Sequence, residues 1–435
     1  MPSSPPGIPD PQRPQDRSVD PPLEAPAQVR PAAGPSPAAR SLSLLVVAAA
    51  TVSLNLRPIA TSVGPVLEEI QSGLGVSAAV AGVLTALPGL VFGLAGLTAV
   101  GVARRFGLVG TVCGGLLLVG LAALVRSMTD SVALFLLLTA LALAGMGLGN
   151  VLVPAVIKRY SGRRTATVTT VYTVGLGVGS ALPMFATAPL TSLGTDGTGW
   201  RYALGTWAIV ALLAAAIWAV VLMRVRGRDL GVGERATGLP IHRSRTAVAL
   251  CAFFGLQSMN AYVQFGWLAQ IYRDAGVSAA TAALLVGTMS LFGIPGGLLM
   301  PQIAARSRRI SVWTTVLGLC MLGGWLGLLL APASGMIAWV LLLGIGQFTF
   351  PLALALIVTR SGAPETTARL SGFAQPVGYL LAAAGPLVVG LLRDATGSWT
   401  APLAMLMASA GLLMGAGLLL GGDRTVDQDL AESSS

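Results

Sequence analysis

Twelve long apolar runs, separated by short gaps that hold charges or Gly/Pro clusters, fill the chain between residues 42 and 420. They fall at about 42–66, 78–102, 108–126, 132–157, 166–190, 201–223, 246–271, 279–304, 311–331, 336–359, 369–391 and 400–420. Crossing a hydrocarbon layer about 30 Å thick takes about 20 apolar residues as a helix, which is the length of these runs. A backbone in lipid must satisfy its own hydrogen bonds, so such runs are helices or strands of a closed barrel. The ten-residue alternation of barrel strands is absent. The expected fold is therefore all-α, a membrane protein with twelve transmembrane helices. Composition agrees: 54% of the 435 residues are hydrophobic and only 10% charged. Soluble domains carry about 25% charged residues, so an ordinary soluble enzyme is excluded. The formal net charge of +10 would suggest nucleic acid in a soluble chain. Here the basic residues stand between apolar runs, so the expected partners are the lipid bilayer and a small-molecule solute, not nucleic acid.

The gaps orient the bundle. Even-numbered gaps hold seventeen Lys and Arg, among them Arg104, Arg105, Lys158, Arg159, Arg306 and Arg360, whereas odd-numbered gaps hold four: Arg126, Arg201, Arg273 and Arg393. Basic loops stay cytoplasmic, which predicts a multi-pass plasma-membrane protein with both termini and the central loop inside. Residues 1–40, crowded with Pro, Ala, Ser and Gln, read as a disordered cytoplasmic tail, since they bury too little apolar area to offset ordering. Residues 422–435 read as a short polar tail of the same kind. Cys113, Cys251 and Cys320 lie in separate apolar runs without metal-ligand spacing. They read as small buried hydrophobes, and no metal or cofactor is expected.

The two halves repeat. Gly147, Gly149, Asn150 and Pro154 of the fourth run match Gly344, Gly346, Gln347 and Pro351 of the tenth at a constant offset of 197 residues. Tyr172, Gly175 and Pro183 match Gln375, Gly378 and Pro386 at an offset of 203. Gly75-Val76-Ser77-Ala78-Ala79 recurs letter for letter at Gly276–Ala280. The predicted organisation is two six-helix bundles, 41–225 and 246–421, joined by a cytoplasmic linker at 226–245. A parallel repeat of this kind places a substrate site between the halves near the midplane.

Arg57 is the outlier, a guanidinium inside the first run. By insertion scales it costs about 2.5–3.5 kcal/mol at a helix centre and is kept for a partner or a substrate. Asn55 and Thr61 flank it, and Ser53, Arg57 and Thr61 at i, i+4, i+8 predict one polar stripe beside the helix-breaking Pro58. In the seventh run Gln257, Asn260, Gln264, Trp267 and Gln270 follow one another at 3, 4, 3 and 3 residues, with Tyr262 on the flank. That helical face suits hydrogen bonding to a polar solute; the alternative is hydrogen bonding between helices. Asn150, Tyr172, Gln347, Gln375 and Tyr379 complete the candidate substrate-binding set. Gly-rich stretches such as Gly145–Gly149 lack the preceding strand and following Lys of a nucleotide loop and read as close helix packing. None of the 17 acidic residues lies at the middle of a run, and the only histidine, His242, is in the central loop. No paired carboxylates, HExxH or Walker sequence stands anywhere, so neither catalysis nor ATP-driven pumping is expected.

Asn55-Leu56-Arg57-Pro58 running into Thr61-Ser62-Val63-Gly64-Pro65 resembles the first helix of the cyanate/2-nitroimidazole transporter family of the major facilitator superfamily. Gly255-Leu256-Gln257-Ser258 with Tyr262, Gly266, Trp267 and Leu268 is similar to that family's seventh helix. Arg369-Leu370-Ser371-Gly372-Phe373-Ala374-Gln375 with Gly378-Tyr379-Leu380 resembles the eleventh, with Gly385-Pro386 and Gly397-Ser398-Trp399 continuing the likeness. Arg104-Arg105-Phe106-Gly107-Leu108-Val109 departs from the superfamily's Asp-Arg-x-Gly signature and its trailing basic residues. The resemblance implies a secondary active or facilitative carrier, monomeric, that moves a small polar or anionic organic solute by alternating access. In that reading Trp267 or Tyr379 stacks on a flat solute. A multidrug or metabolite exporter and a membrane-embedded enzyme are the alternatives; a carboxylate inside the spans would favour the first, a nucleophile or metal constellation the second.

Overall fold

The structure, a computed structural model, describes residues 37–195, 197–225, 241–422 and 424–432. Most of the expected N-terminal tail and the loop at 226–240 lie outside them. Every described regular element is helical, and twelve helical segments are long and apolar enough to cross a membrane: Leu44–Leu74, Ala78–Phe106, Leu108–Arg126, Val132–Tyr160, Thr165–Thr191, Gly199–Arg224, Arg245–Asp274, Ala279–Arg306, Ile310–Leu330, Met336–Thr359, Glu365–Thr396 and Thr400–Leu419. These are spans 1 to 12. Ser77, Ser131, Ser244 and Ser278 cap spans 2, 4, 7 and 8, each hydroxyl accepting from the backbone N–H three residues on.

The most extensive contacts between the two halves are two crossings, span 2 on span 11 and span 5 on span 8, and span 7 also packs on spans 1 and 2. A shift of six spans turns 2 into 8 and 5 into 11, so the crossings are one contact used twice, as two pseudo-repeats require. Span 2 and span 11 touch backbone to backbone: a Cβ at Gly89 would lie 2.9 Å from the Ala383 N and the Tyr379 carbonyl oxygen. One at Gly390 would lie 2.5 Å from the Ala78 carbonyl oxygen and 2.9 Å from the Gly82 Cα. Small residues at such crossings let dispersion and backbone proximity hold the helices together.

Three spans are broken. Span 1 leaves its first helix after Asn55, turns through Leu56 and Arg57, and resumes at Pro58, the first residue of a new short helix. Proline needs no N–H partner there, and its ring bars the helix from running straight through. After Gly64–Val66 the chain adds Leu67–Leu74, so the span ends well beyond the expected residue 66. The break also dissolves the expected Ser53–Arg57–Thr61 stripe: Ser53 is buried against Gly175 of span 5. Span 8 breaks at Phe292, between Ala279–Leu291 and Gly293–Arg306. Span 10 breaks at Gln347 and Phe348. Phe292, Gln347 and Phe348 keep helical dihedrals, so spans 8 and 10 are interrupted in their hydrogen-bond ladder. Arg57 instead leaves the helical region, which is tolerated at membrane depth where backbone is buried in protein or lines a cavity.

The face opposite the termini is laced shut between the halves. Arg273, at the end of span 7, reaches Glu68 at 2.7 Å and Glu69 at 2.9 Å, and donates to the Pro65 carbonyl at 3.4 Å. Asp394 accepts from the Ala78 and Ala79 N–H groups at 3.1 and 2.7 Å, closing span 11 onto the start of span 2. Within each half the same face is tied as well, Arg393 binding Asp274 at 2.8 Å in the second and Arg201 pairing with Asp130 in the first.

The C-terminal stretch differs from the expected polar tail, because Val426–Glu432 is a helix docked on the opposite end of the bundle. Asp429 accepts from the Ser244 hydroxyl at 2.8 Å and the Thr246 N–H at 2.9 Å, at the start of span 7. Asp427 accepts from the Gly362 N–H at 2.5 Å and the Thr366 hydroxyl at 2.6 Å, at the start of span 11. Asp429 thus adds to the Ser244 cap at the start of span 7, and Asp427 serves the start of span 11, whose N-cap residue Ala363 gives no side-chain hydrogen bond. Of the three free thiols, Cys113 and Cys251 are buried as expected, and Cys320 is half-buried.

Candidate functional site

The three breaks face one cavity of about 440 Å³ between the halves. Arg57 reaches it from span 1, Ser290 and Gly293 from span 8, Gln347 and Phe350 from span 10. Tyr172 of span 5, Gln257 and Tyr262 of span 7 and Tyr379 of span 11 supply much of the remaining polar surface. The cavity runs toward the face that carries the termini, since its lining includes Pro301, Leu354 and Val358 near the ends of spans 8 and 10.

Arg57 is half-buried, and among the described residues no carboxylate pairs with it. Its Cζ stands 5.8 Å from the centroid of the Phe350 ring, within cation–π range. The Tyr379 ring meets Phe254 edge-on at 5.0 Å and Phe92 at 6.0 Å, and lies tilted by 31° against Tyr262 at 6.2 Å. The Tyr262 hydroxyl is buried without a hydrogen-bond partner. One wall therefore offers a forked cation, another phenols and a flat aromatic face, and a third the amides of Gln257 and Gln347. Such a site suits a small planar solute with a negative or electron-rich end, which a guanidinium holds with two parallel donors. Beyond Arg57, Tyr262 and Phe265 lies a second chamber of about 20 Å³, lined by Thr61, Thr85 and Thr139. Arg57, Tyr262 and Phe265 line both spaces and so form the partition between them.

The structure brings Arg57, Tyr172, Gln257, Gln347 and Tyr379 of the candidate set to the large cavity, and Thr61 to the small chamber. The others sit elsewhere. Asn55 donates to Thr51 and Val210 carbonyls at 2.7 and 3.5 Å, and Asn150 to the Met146 carbonyl at 3.2 Å. Asn260 donates to the Ser409 hydroxyl at 3.0 Å and accepts from the Trp325 indole at 2.8 Å. Gln264 accepts from Gln347 at 2.8 Å, Gln270 donates to Asp274 at 2.7 Å, and Gln375 to Ser371 at 2.6 Å. Trp267 is buried edge-on to Trp399 at 5.8 Å.

Helix geometry explains the split along span 7. Its cavity-lining residues are Gln257, Ser258, Ala261, Tyr262 and Phe265. At about 100° per residue they centre roughly a third of a turn away from the centre of the Gln257–Gln270 stripe. Most of that stripe points into the interior of the second half, where its amides join spans 9, 10 and 12. Phe350 and Tyr262 were outside the candidate set. The signal for Phe350 is its place three residues after Gln347, a spacing that brings both to the cavity across the break in span 10.

The sequence matches the Major Facilitator Superfamily over residues 44–386. It is 35% identical to the 2-nitroimidazole transporter of Escherichia coli (strain K12) over 388 residues, 88% of this chain and 96% of that one. It is 30% identical to the cyanate transport protein CynX of the same organism over 351 residues, 80% and 89% of the two chains. Among solved structures, a bacterial homologue of the human lysosomal transporter Spinster, inward-facing and unoccupied, superposes with a TM-score of 0.67 at 17% identity, covering 91% of this chain and 96% of that one. A D-xylose–proton symporter superposes with a TM-score of 0.66 at 14% identity, covering 87% and 96%. With twelve spans in two pseudo-repeats around a central cavity, the chain belongs to the major facilitator superfamily, in the family of the cyanate and 2-nitroimidazole transporters.

Proposed function

We propose that the protein carries a small, flat, polar or anionic organic solute, cyanate- or nitroimidazole-like, across the plasma membrane by alternating access. The observation that carries this reading is Arg57: a guanidinium at a helix break, lining the central cavity, with no carboxylate beside it among the described residues. Solute enters between the bundles at 41–225 and 246–421, and its negative end meets Arg57. Gln257 and Gln347 take its remaining polar atoms and Tyr379 its flat face. The bundles then rock about the crossings of spans 2 with 11 and 5 with 8. The charge asymmetry of the loops supports cytoplasmic termini, which makes the present state inward-facing. Fold and relatives are those of transporters, which supports a carrier rather than an enzyme.

Uptake into proteoliposomes of a panel of small anions and flat heterocycles tests this reading. Arg57→Lys keeps the charge and loses the fork, so transport persists with raised KM. Arg57→Gln loses a charged hydrogen bond worth about 1.5–3 kcal/mol, roughly tenfold to a hundredfold in affinity. Undiminished uptake by well-inserted Arg57→Gln sinks the anion-site reading.

A further inference from the structure

A third pocket, of about 560 Å³, opens on the terminal-bearing face and shares no lining residue with the central cavity. It lies between the start of span 7, the end of span 12 and the C-terminal helix. Four arginines line it, Arg243, Arg245, Arg360 and Arg424, against a single carboxylate, Asp429. Asp429 is already engaged by the Ser244 hydroxyl and the Thr246 N–H, and stands 3.8 Å from Arg424. Arg360 donates to the Leu420 carbonyl at 3.0 Å, and Arg424 binds Glu432 at 2.9 Å. Arg243 and Arg245 are exposed and have no ion-pair partner among the described residues. The other wall is apolar: Val248, Ala252 and Leu419. Val248 is 48% exposed and Leu419 76%, so this wall opens sideways, where the spans meet acyl chains.

We propose that this pocket seats the phosphodiester headgroup of an anionic phospholipid, with its acyl chains laid along Val248, Ala252 and Leu419. A soluble anion would use the charge alone; a pocket that is basic at one end and laterally open and apolar at the other fits both parts of a lipid. Basic pockets between helices on the cytoplasmic side recognise lipid headgroups by this same combination.

The test is native mass spectrometry and thermal melting of the purified full chain with phosphatidylglycerol, phosphatidylcholine or inorganic phosphate. The wild type should bind and be stabilised by phosphatidylglycerol in preference to phosphatidylcholine. Each arginine near the surface contributes about 1 kcal/mol, so Arg243→Gln with Arg245→Gln should weaken phosphatidylglycerol binding by about thirtyfold. Single Arg243→Gln, at an exposed side chain, should weaken it by about fivefold and serves if the double variant is unstable. Equal binding of the two lipids by the wild type overturns the proposal. So does a full preference retained by either variant, or stabilisation by inorganic phosphate equal to that by phosphatidylglycerol, which would make this a soluble-anion site.

Discussion

Replacing Gly390 by alanine should drive the protein out of its present conformation. The new methyl would stand 2.5 Å from the Ala78 carbonyl oxygen and 2.9 Å from the Gly82 Cα, both backbone atoms of span 2. Ordinary contact is about 3.5 Å, so spans 2 and 11 must part by about 1 Å at a place where neither can swing aside. The Asp394 bonds to Ala78 and Ala79, one helical turn away, would stretch with them. Overpacking of this kind costs about 1–3 kcal/mol. The cost falls on the state in which this face is closed, so the balance between states should move about 5- to 150-fold toward its opening. The assay is alkylation of Thr85→Cys, which lines the small chamber, by an impermeant maleimide, with Cys113, Cys251 and Cys320 replaced by serine. Labelling should accelerate by that factor in Gly390→Ala and stay unchanged in Gly411→Ala, where a Cβ meets nothing within 4 Å. Unchanged labelling in a Gly390→Ala protein of normal melting temperature would refute the reasoning.

Asn260→Leu strands the buried Trp325 N–H and should lower stability by about 1–3 kcal/mol while leaving the KM of surviving protein intact. Gln257→Leu, at the cavity wall, should do the reverse; melting curves and uptake kinetics together separate the two. At Asp429 burial works to raise the pKa, but hydrogen bonds from the Thr246 N–H and the Ser244 hydroxyl outweigh it, so the carboxyl is held below its ordinary value; Asp427 is held low in the same way by Thr366 and Gly362. A lowered folded pKa means that docking of the C-terminal helix is fully present above about pH 4 and is lost as pH falls through the folded pKa. Protease cleavage of the tail should therefore be the same at pH 5 and 7 in the wild type and faster at both in Asp427→Asn with Asp429→Asn. Epitope tags at both termini should report the cytoplasmic side and a tag between Thr195 and Thr198 the outside; one side for all three would overturn the orientation.

What the letters disclosed depended on how costly each feature is in lipid. The twelve spans were legible because charges are confined to the gaps, and Arg57 because a guanidinium at membrane depth demands a reason. The amides of span 7 were legible as a stripe but not as a site. That span is buried nearly all round, so polarity on one face does not tell cavity from core, and Asn260 and Trp325 use it for packing. Gln347 came to the cavity through a break that its repeat partner Asn150, in an unbroken helix, lacks. The pairing of Asp427 and Asp429 with two distant helix starts has no local signature, since it joins residues 61 and 183 or more positions apart.

The solitary charge of Arg57 also has an electrical meaning. On the reading proposed above, the carrier loaded with a monoanion is neutral at its centre and the empty carrier holds one positive charge. That charge takes the potential of whichever compartment the cavity opens to, so reorientation of the empty carrier moves it through the membrane field. A full elementary charge is worth about 2.3 kcal/mol per 100 mV, about fiftyfold in population. An interior-negative potential therefore draws the empty site to the cytoplasmic side. In the proteoliposome assay, reversing an imposed potential should change turnover in the wild type and lose that effect in Arg57→Gln.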